Sequence, residues 1–164
     1  MTDADKYKKL YLILQDISNA IVITDKIISL TDHLLDVAIK YVDAESGSLM
    51  LVNERGVLSI LSSRGLDASY IKDFTSHGGN GISGAILKKR VPMLIKDIAQ
   101  HPEFLSPERH HYKTRSFISC PILFRNRVLG IININDKKDG APFTQDEMDL
   151  LQIIANNAAV TLEN

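Results

Sequence analysis

The chain has 164 residues, 45% of them hydrophobic and 24% charged, and its formal net charge is −1 at pH 7. This length and composition predict one compact domain with one main core, and the balanced charge excludes a general attraction to nucleic acid or to an anionic membrane. The lone cysteine, Cys120, excludes an internal disulfide and a cysteine-rich zinc site and favours a reducing compartment, so we expect a cytoplasmic protein.

Two amphipathic helices are predicted at the start of the chain. Apolar residues recur at spacings of three and four in both, and the first helix carries the stripe Tyr7, Leu10, Leu14, Ile17 and Ile21. The second pattern runs from Ile27 to Val42. We predict that residues 1–24 form a helix for signalling or dimerisation and that residues 25–164 form the folded domain.

Short apolar runs rich in β-branched residues predict two hairpins. The first joins Leu49–Val52 to Val57–Leu61, and the second joins Phe117–Phe124 to Val128–Ile134 across the polar turn 125–127. These runs are too short and too β-rich for helices. Both hairpins therefore favour an antiparallel sheet.

The middle segment, residues 66–115, is irregular, and long loops of this kind usually carry function. Within it, Ile82–Lys89 predicts a short helix and Met93–Ile95 a short strand. After the second hairpin, Thr144 and Glu147 form a capping box, which predicts a C-terminal helix over residues 144–163.

Helices at both ends, without a regular alternation of strand and helix, predict an α+β domain with an antiparallel sheet. The helices would cover one face of the sheet. The middle segment is then left for the other face, where we expect a pocket.

Five local phrases occur in a fixed order: Glu45–Ser48, Gly81–Gly84, Pro92–Asp97, Tyr112–Pro121 and Gly130–Glu147. Together, over residues 29–161, they resemble the GAF family of small-molecule sensor domains. Within the last phrase, five residues are similar to a signature of nucleotide-binding members: Asn135, Lys137, Phe143, Asp146 and Glu147. The chain departs from that signature because Asp136 separates Asn135 from Lys137 and the interval from Phe143 to Asp146 is shorter.

The resemblance implies a six-stranded antiparallel sheet with helices on one face and a ligand pocket, roofed by the middle segment, on the other. It implies a small organic ligand or a cyclic nucleotide. It also implies control of an output module such as a histidine kinase, a cyclic-di-nucleotide enzyme or an HD-type phosphohydrolase. Nucleic acid is not expected as a partner.

We predict a non-catalytic domain that senses a small molecule and controls an attached or partner signalling module. The residues predicted to contact the ligand are Ile82, Ser83, Ile86, Asp97, Phe104, Ser119 and Asn133. One alternative is a dimerisation or interaction module that binds no ligand. Another is a redox or chromophore domain that depends on Cys120.

Two stretches of the middle segment suggest anion or metal binding. Residues 79–84 have the spacing of a dinucleotide-binding fingerprint, but no strand precedes them. The backbone there can bind an anion at the start of the short helix or simply form a tight turn. The basic stretch Arg109–Arg115, with His101, suggests a phosphate or a metal, but adjacent histidines on an extended segment point to opposite sides, so no metal site is expected.

Three single residues have two interpretations each. Cys120 has no second thiol to resolve an oxidised intermediate, so we expect it to pack in the core. Asp97 can contact a ligand or cap the turn that follows it, and Asn133, in an apolar strand, must face water or a partner. No motif in the chain requires catalysis, so we predict that the protein is not an enzyme.

The terminal helices either cover the sheet or pair across a dimer. We predict a homodimer, because Ile13, Ile153 and Ile154 lie beyond one apolar stripe.

Overall fold

A computed structural model describes residues 1–23, 27–77, 81–104 and 112–163. The helices and strands, in chain order, are α1 (Asp3–Ile23), α2 (Ile27–Tyr41), β1 (Ala44–Val52), β2 (Leu58–Arg64), α3 (Ala68–His77), α4 (Gly81–Lys89), β3 (Met93–Ile95), β4 (Phe117–Phe124), β5 (Arg127–Lys137) and α5 (Gln145–Glu163). Two short 3-10 turns, Ile98–Gln100 and Pro102–Phe104, follow β3. The predicted boundary between residues 24 and 25 falls outside the described ranges.

The sheet is antiparallel, with the strand order β2-β1-β5-β4-β3. The α+β class and both predicted hairpins are confirmed. Arg125 and Asn126, with φ of 48° and 66°, form the two-residue turn between β4 and β5, which matches the twist of a hairpin. Over the described ranges the sheet has five strands, so the sixth strand that the resemblance implies is not found there.

Helices α2 and α5 pack on one face of the sheet, as predicted, and α1 packs on α2 and α5. Their buried residues and those of the strands form the helix-side core, in which Leu34, Leu35, Cys120, Ile132 and Leu151 are all fully buried. Such a core is the main favourable term in folding, because burial removes apolar surface from water. The capping box is also confirmed, since Thr144 N donates to Glu147 Oε2 at 2.7 Å and Glu147 N donates to Thr144 Oγ1 at 3.3 Å.

Helix α1 is rotated relative to its predicted stripe. Ile13 and Ile17 are buried at 0% and 3% exposure, whereas Tyr7 and Leu14, which we expected on the same face as Ile17, are 72% and 45% exposed. Ile13 and Ile154, which we expected to be available to a partner, are both fully buried. The apolar residues of α1 lie on two faces, so periodicity alone could not decide which face packs.

Two polar contacts flank the buried face of α1. Lys6 Nζ donates to Asp149 Oδ2 of α5 at 3.4 Å, and Tyr41 of α2 donates its hydroxyl to Asp16 Oδ2 at 2.8 Å. The face of α1 between them turns toward α2 and α5, and Ile13 packs there.

The opposite face of the sheet is covered by the middle segment. A second core forms between this segment and the sheet. It contains Ile82 and Ile86 of α4, Ile95 of β3, Ile98 of the first 3-10 turn, and the strand residues Met50, Leu58, Phe117 and Ile131. The predicted short helix and short strand of this segment are confirmed as α4 and β3. None of the described helices is long and apolar enough to cross a membrane.

Candidate functional site

The two faces of the sheet differ in polarity. On β4, Ile118, Cys120 and Ile122 belong to the helix-side core, and because strand side chains alternate, Phe117 and Ser119 point to the other face. The same alternation on β5 gives Ile132 to the helix side and Asn133 to the opposite face. The candidate site therefore lies on the face covered by the middle segment.

Polar side chains form two rows across the centre of that face, which we call the polar rows. In the first row Ser48 of β1 pairs with Asn133 of β5, and Asn133 pairs with Ser119 of β4. In the second row Ser46 pairs with Asn135. Four of the five are buried to 5% exposure or less, and Asn133 is half-buried. Polar groups are thus gathered where an apolar surface would be expected.

Hydrogen bonds orient the hydroxyl groups of these rows. Ser119 Oγ donates to Asn133 Oδ1. Ser46 Oγ donates to Asp136 Oδ2 at 2.9 Å, and the other oxygen of Asp136 accepts the backbone N–H of Thr114 at 2.9 Å. Asp136 is only 5% exposed. The buried Asp136 carboxylate therefore lies directly beside the second row.

Asp136 is the residue that interrupts the signature noted in the sequence. Its φ is +57°, a left-handed conformation that aspartate tolerates better than most residues. The backbone twist occurs near the end of β5, where Asp136 bonds both to β1 and to the segment that leads into β4.

The predicted site residues fall into three groups. Ile82, Ser83, Ile86 and Phe104 lie in or against the second core, and Ser83 Oγ is 3.9 Å from Met50 Sδ. Ser119 and Asn133 lie together in the polar rows. The structure thus brings six of the seven predicted residues to one face of the sheet; their contact with a ligand stays a prediction.

Asp97, the seventh residue, has both carboxylate oxygens engaged within the protein. Oδ1 accepts the backbone N–H of Ala99 at 3.0 Å and caps the first 3-10 turn. Oδ2 pairs with Arg115 Nη2 at 3.1 Å. The capping role that the sequence left open is confirmed.

The segment after residue 111 is fastened to the sheet at successive residues. Lys113 Nζ is 2.7 Å from Glu45 Oε2, and this contact raises the pKa of Lys113 and lowers that of Glu45. Ser116 Oγ donates to Ile95 O and accepts the N–H of Phe143, both at 2.9 Å. Ser116 therefore joins β3 and β4 to the chain that enters α5.

A second link to α5 comes from the end of β5. Lys137 Nζ is 2.6 Å from Glu147 Oε1, with side chains 12% and 16% exposed. This hydrogen bond raises the pKa of Lys137. Glu147 thus serves both the capping box and an ion pair with the sheet.

Cys120 is fully buried in the helix-side core, as predicted. Burial raises the pKa of its thiol far above the ordinary value, which suppresses the reactive thiolate. The sulfur also lies on the opposite face of the sheet from the polar rows. Over the described ranges, no three His, Cys, Asp or Glu side chains are grouped so that they could hold a metal ion.

Two further predictions concern residues outside the described ranges. Gly79 and Asn80 belong to the proposed anion-binding turn, and 109–111 belong to the basic stretch. Gly81, the first residue of α4, has a φ of +65° with open space around its α-carbon.

The residues predicted to contact the ligand did not include Ser46, Ser48, Asn135 or Asp136, although all four lie in the phrases that carry the family resemblance. A signal for them exists, because polar residues alternate with Gly47 and Leu49 in one strand and with Ile134 in another. Alternation of this kind marks one face of a strand, but the pairing of the strands is needed to show that both sets share a face.

Comparisons with known proteins agree with this architecture. A family model of the GAF domain matches residues 26–163. The Nif-specific regulatory protein of Herbaspirillum seropedicae is 27% identical over 129 residues, which is 76% of this chain and 24% of that protein. The chain therefore spans about a quarter of the length of this curated relative.

Two solved structures share the fold. The GAF domain of a phosphoenolpyruvate-protein phosphotransferase from Coxiella burnetii superposes with a TM-score of 0.77 at 18% identity, covering 95% of this chain and 94% of that one. The free methionine-R-sulfoxide reductase of Neisseria meningitidis, in complex with its substrate, gives a TM-score of 0.74 at 17% identity, covering 94% and 88%. At such identities the likeness concerns the fold alone.

Proposed function

The chain belongs to the GAF domain family, and on this premise we propose that it is a non-catalytic regulatory domain that binds a small molecule and controls a signalling output module. The observation that carries the proposal is the asymmetry of the sheet. Its helix-covered face is apolar along β4 and β5 and holds one buried polar pair, Ser62 of β2 with Thr31 of α2, whereas the other face holds the polar rows.

Burial of polar side chains supports a binding role for this face. Moving a hydroxyl or amide group out of water costs free energy unless the group gains a hydrogen-bond partner of equal strength. At the neighbouring positions of the same strands, Ile132 and Ile134 fill the space without that cost. Polar residues retained at Ser48, Ser119 and Asn133 suit a face that recognises a ligand.

The contacts at the edge of the site offer a path from a ligand to α5. Ser116 bonds both to β3 and to the chain entering α5, and Lys137 pairs with Glu147 in the first turn of that helix. A ligand that binds one arrangement of the middle segment more tightly would shift the position of α5. Signals would leave the domain through α5 or α1.

The regulatory part of the proposal draws on the curated relative. That relative is named as a regulatory protein, and this chain matches about a quarter of its length. We propose an output module of the kinds that the family resemblance implies: a histidine kinase, a cyclic-di-nucleotide enzyme or an HD-type phosphohydrolase.

A non-catalytic role is favoured by the position of Cys120. A methionine sulfoxide reductase shares this fold, and thiol chemistry requires an accessible thiolate. Here the single thiol is fully buried and lies on the opposite side of the sheet from the proposed ligand. We therefore favour the binding role over a redox or chromophore role for this domain.

We also propose a homodimer through the terminal helices. Tyr7, Tyr11 and Leu14 are 72%, 64% and 45% exposed and lie at helical spacing on the outer face of α1. These residues replace Ile13 and Ile154 as the proposed contact with a second copy, because both isoleucines are fully buried in the helix-side core.

A ligand-free interaction module is the second candidate. One observation favours it: Ile82 and Ile86 of α4 are 3% and 0% exposed against the sheet, so the chain's own side chains fill part of the face. Native mass spectrometry of the protein purified from its own cells distinguishes the two. A stoichiometric small-molecule adduct supports the sensor, and the bare protein mass in every preparation supports the ligand-free module.

A further inference from the structure

We propose that four exposed cations at one end of the sheet form a docking surface for a short acidic segment of a partner protein. We call them the hairpin patch: Lys88, Lys89 and Arg90 at the end of α4, and Arg125 in the turn between β4 and β5. The inference goes beyond the proposed function, because Arg125 lies about 20 Å along the β4 direction from Ser119, at about 3.4 Å per residue.

One hydrogen bond joins the two parts of the hairpin patch. Arg90 Nη1 donates to the backbone oxygen of Asn126 at 3.0 Å, so the end of α4 lies against the β4–β5 turn. Arg125 lies in the same turn, with its guanidinium carbon 5.3 Å from the centre of the Phe124 ring. Positive charges from two separate parts of the chain are thereby gathered at one corner of the domain.

These charges are not neutralised by ion pairs. Within the ranges that the structure describes, none of the ion pairs includes a residue of the hairpin patch. By contrast, Lys113, Arg115 and Lys137 at the other end of the sheet are each paired with a carboxylate. Because the whole chain has a net charge of −1, the hairpin patch is a local excess of positive charge on a slightly acidic molecule.

Both arginines occupy backbone positions that suit other residues better. φ is +58° at Arg90 and +48° at Arg125, in the left-handed region that glycine, asparagine and aspartate adopt more readily. The N–H of Arg90 donates to Ile86 O at 2.8 Å, which is the helix-ending contact that glycine usually makes. Arg125 opens a two-residue hairpin turn, where asparagine followed by glycine is preferred. Conformational cost of this kind is found at functional sites.

Apolar side chains beside the charges favour a protein as the occupant. Val91, which follows Arg90, is 51% exposed, and Phe124 is half-buried next to Arg125. Arginine and aromatic side chains are enriched at protein–protein interfaces. The hairpin patch can therefore pair with carboxylates and also contact an apolar side chain of the same segment.

Carboxylates at the borders limit the size of the occupant. Glu103 interacts electrostatically with Lys89, and Glu163 is 2.7 Å from Arg127, just beyond the turn. The neighbouring turn between β1 and β2 carries one exposed residue of each sign, Glu54 and Arg55. A short acidic segment fits between these borders, whereas a nucleic acid strand or an anionic bilayer would extend over Glu103 and Glu163 and be repelled.

Four labelled probes test the docking surface with the complete chain. They are an acidic peptide of glutamate and serine with one central phenylalanine, the same peptide with glutamine in place of glutamate, a polyuridine RNA of equal length, and vesicles of phosphatidylcholine with phosphatidylserine. Fluorescence anisotropy gives the affinities of the peptides and the RNA, and co-sedimentation gives that of the vesicles. Amide shifts of the 15N-labelled protein locate binding, which we expect from the acidic peptide at residues 87–91 and 124–127.

A matched pair of variants tests the role of the charges. Lys88→Gln with Arg125→Asn should weaken binding of the acidic peptide about five-fold, as expected for the loss of two exposed ion pairs. Lys96→Gln, an exposed lysine after the far end of β3, should leave it unchanged. Arg125→Asn alone should keep or raise the free energy of unfolding in urea, because asparagine tolerates a positive φ better. Weaker binding without a loss of stability distinguishes docking from a structural role.

The other outcomes overturn the proposal. Equal binding of the glutamine peptide, or unchanged affinity in the double variant, would show that the charges of the hairpin patch do not recognise the segment. Stronger binding of the RNA or the vesicles at the same residues would exclude an acidic protein segment as the occupant. An acidic peptide that shifts no amide of the patch would remove the docking surface. The proposed function is tested separately by native mass spectrometry and stands in each of these cases.

Discussion

Replacing the pair Ser119 and Asn133 with apolar residues should leave the domain folded and nearly as stable as before. The two residues hydrogen-bond to each other in the first polar row. If they are retained for binding, the fold does not need them. We therefore predict that Ser119→Ala with Asn133→Leu changes the free energy of unfolding by less than about 1 kcal/mol, or increases it.

The single variant should behave differently from the double one. Ser119→Ala removes one partner and leaves the Asn133 amide oxygen without its hydroxyl, which costs about 1 to 2 kcal/mol when a polar group is left unsatisfied. Asn133 is half-buried, so water can reduce that cost toward the lower value. The second substitution removes the unsatisfied group, and the resulting coupling energy should be about 1 kcal/mol.

A matched control is available in the adjacent register pair. Cys120 pairs with Ile132 one residue further along the same strands, and both belong to the fully buried helix-side core. Ile132→Ala should cost about 2 to 5 kcal/mol, because it leaves a cavity in a packed core. Asn133→Leu alone completes the double-mutant cycle, and urea unfolding followed by circular dichroism measures the wild type, both single variants, the double variant and Ile132→Ala under one set of conditions.

A large loss in the double variant would refute this reasoning. If it is destabilised by about as much as Ile132→Ala, the pair is part of the structural core. The polar rows would then no longer indicate a ligand.

Three further predictions test other contacts. Cys120 should react with a thiol reagent about 100-fold more slowly in the native protein than in urea, because burial raises its pKa and blocks access; equal rates would contradict the buried position. The Tyr41 hydroxyl lowers the pKa of Asp16 below 3.8, so Asp16 stabilises the fold above its unfolded pKa, and that contribution disappears as the pH falls through the folded pKa. Asp16→Asn should therefore lower the free energy of unfolding at pH 6 and have little effect at strongly acidic pH, whereas a difference that is constant with pH would show that the charge is not involved. Tyr11→Glu should shift the protein from dimer to monomer in sedimentation velocity, and Asn19→Glu, at an exposed position of α1 away from the face of Tyr7 and Tyr11, should not; a wild-type monomer would remove the dimer proposal.

Elements with strong local signals could be predicted from the sequence. The capping box of Thr144 and Glu147 marks the start of α5 through contacts between residues three apart in the chain. Both hairpins are indicated by polar turns between runs rich in β-branched residues. Cys120 was correctly expected in the core, since its neighbours in the strand are apolar.

The remaining features depend on tertiary contacts. The buried face of α1 carries Ile13 and Ile17 and is flanked by Asp16 and Lys6, whose partners lie on other helices. The polar rows can be recognised only from the register of β1, β4 and β5, which brings together residues far apart in the chain. Asp136 reads in the sequence as an interruption, and only its left-handed backbone and its contact with Ser46 show that it borders the site.

The central claim is that a small molecule bound at the polar rows changes the middle segment and α5. Hydrogen exchange followed by mass spectrometry tests it most directly, with the wild type and the Ser119→Ala, Asn133→Leu variant each incubated with a metabolite extract of the protein's own cells. We predict added protection in residues 81–104 and 145–163 of the wild type and none in the variant. Unchanged exchange in the wild type, or the same protection in both proteins, would contradict the account.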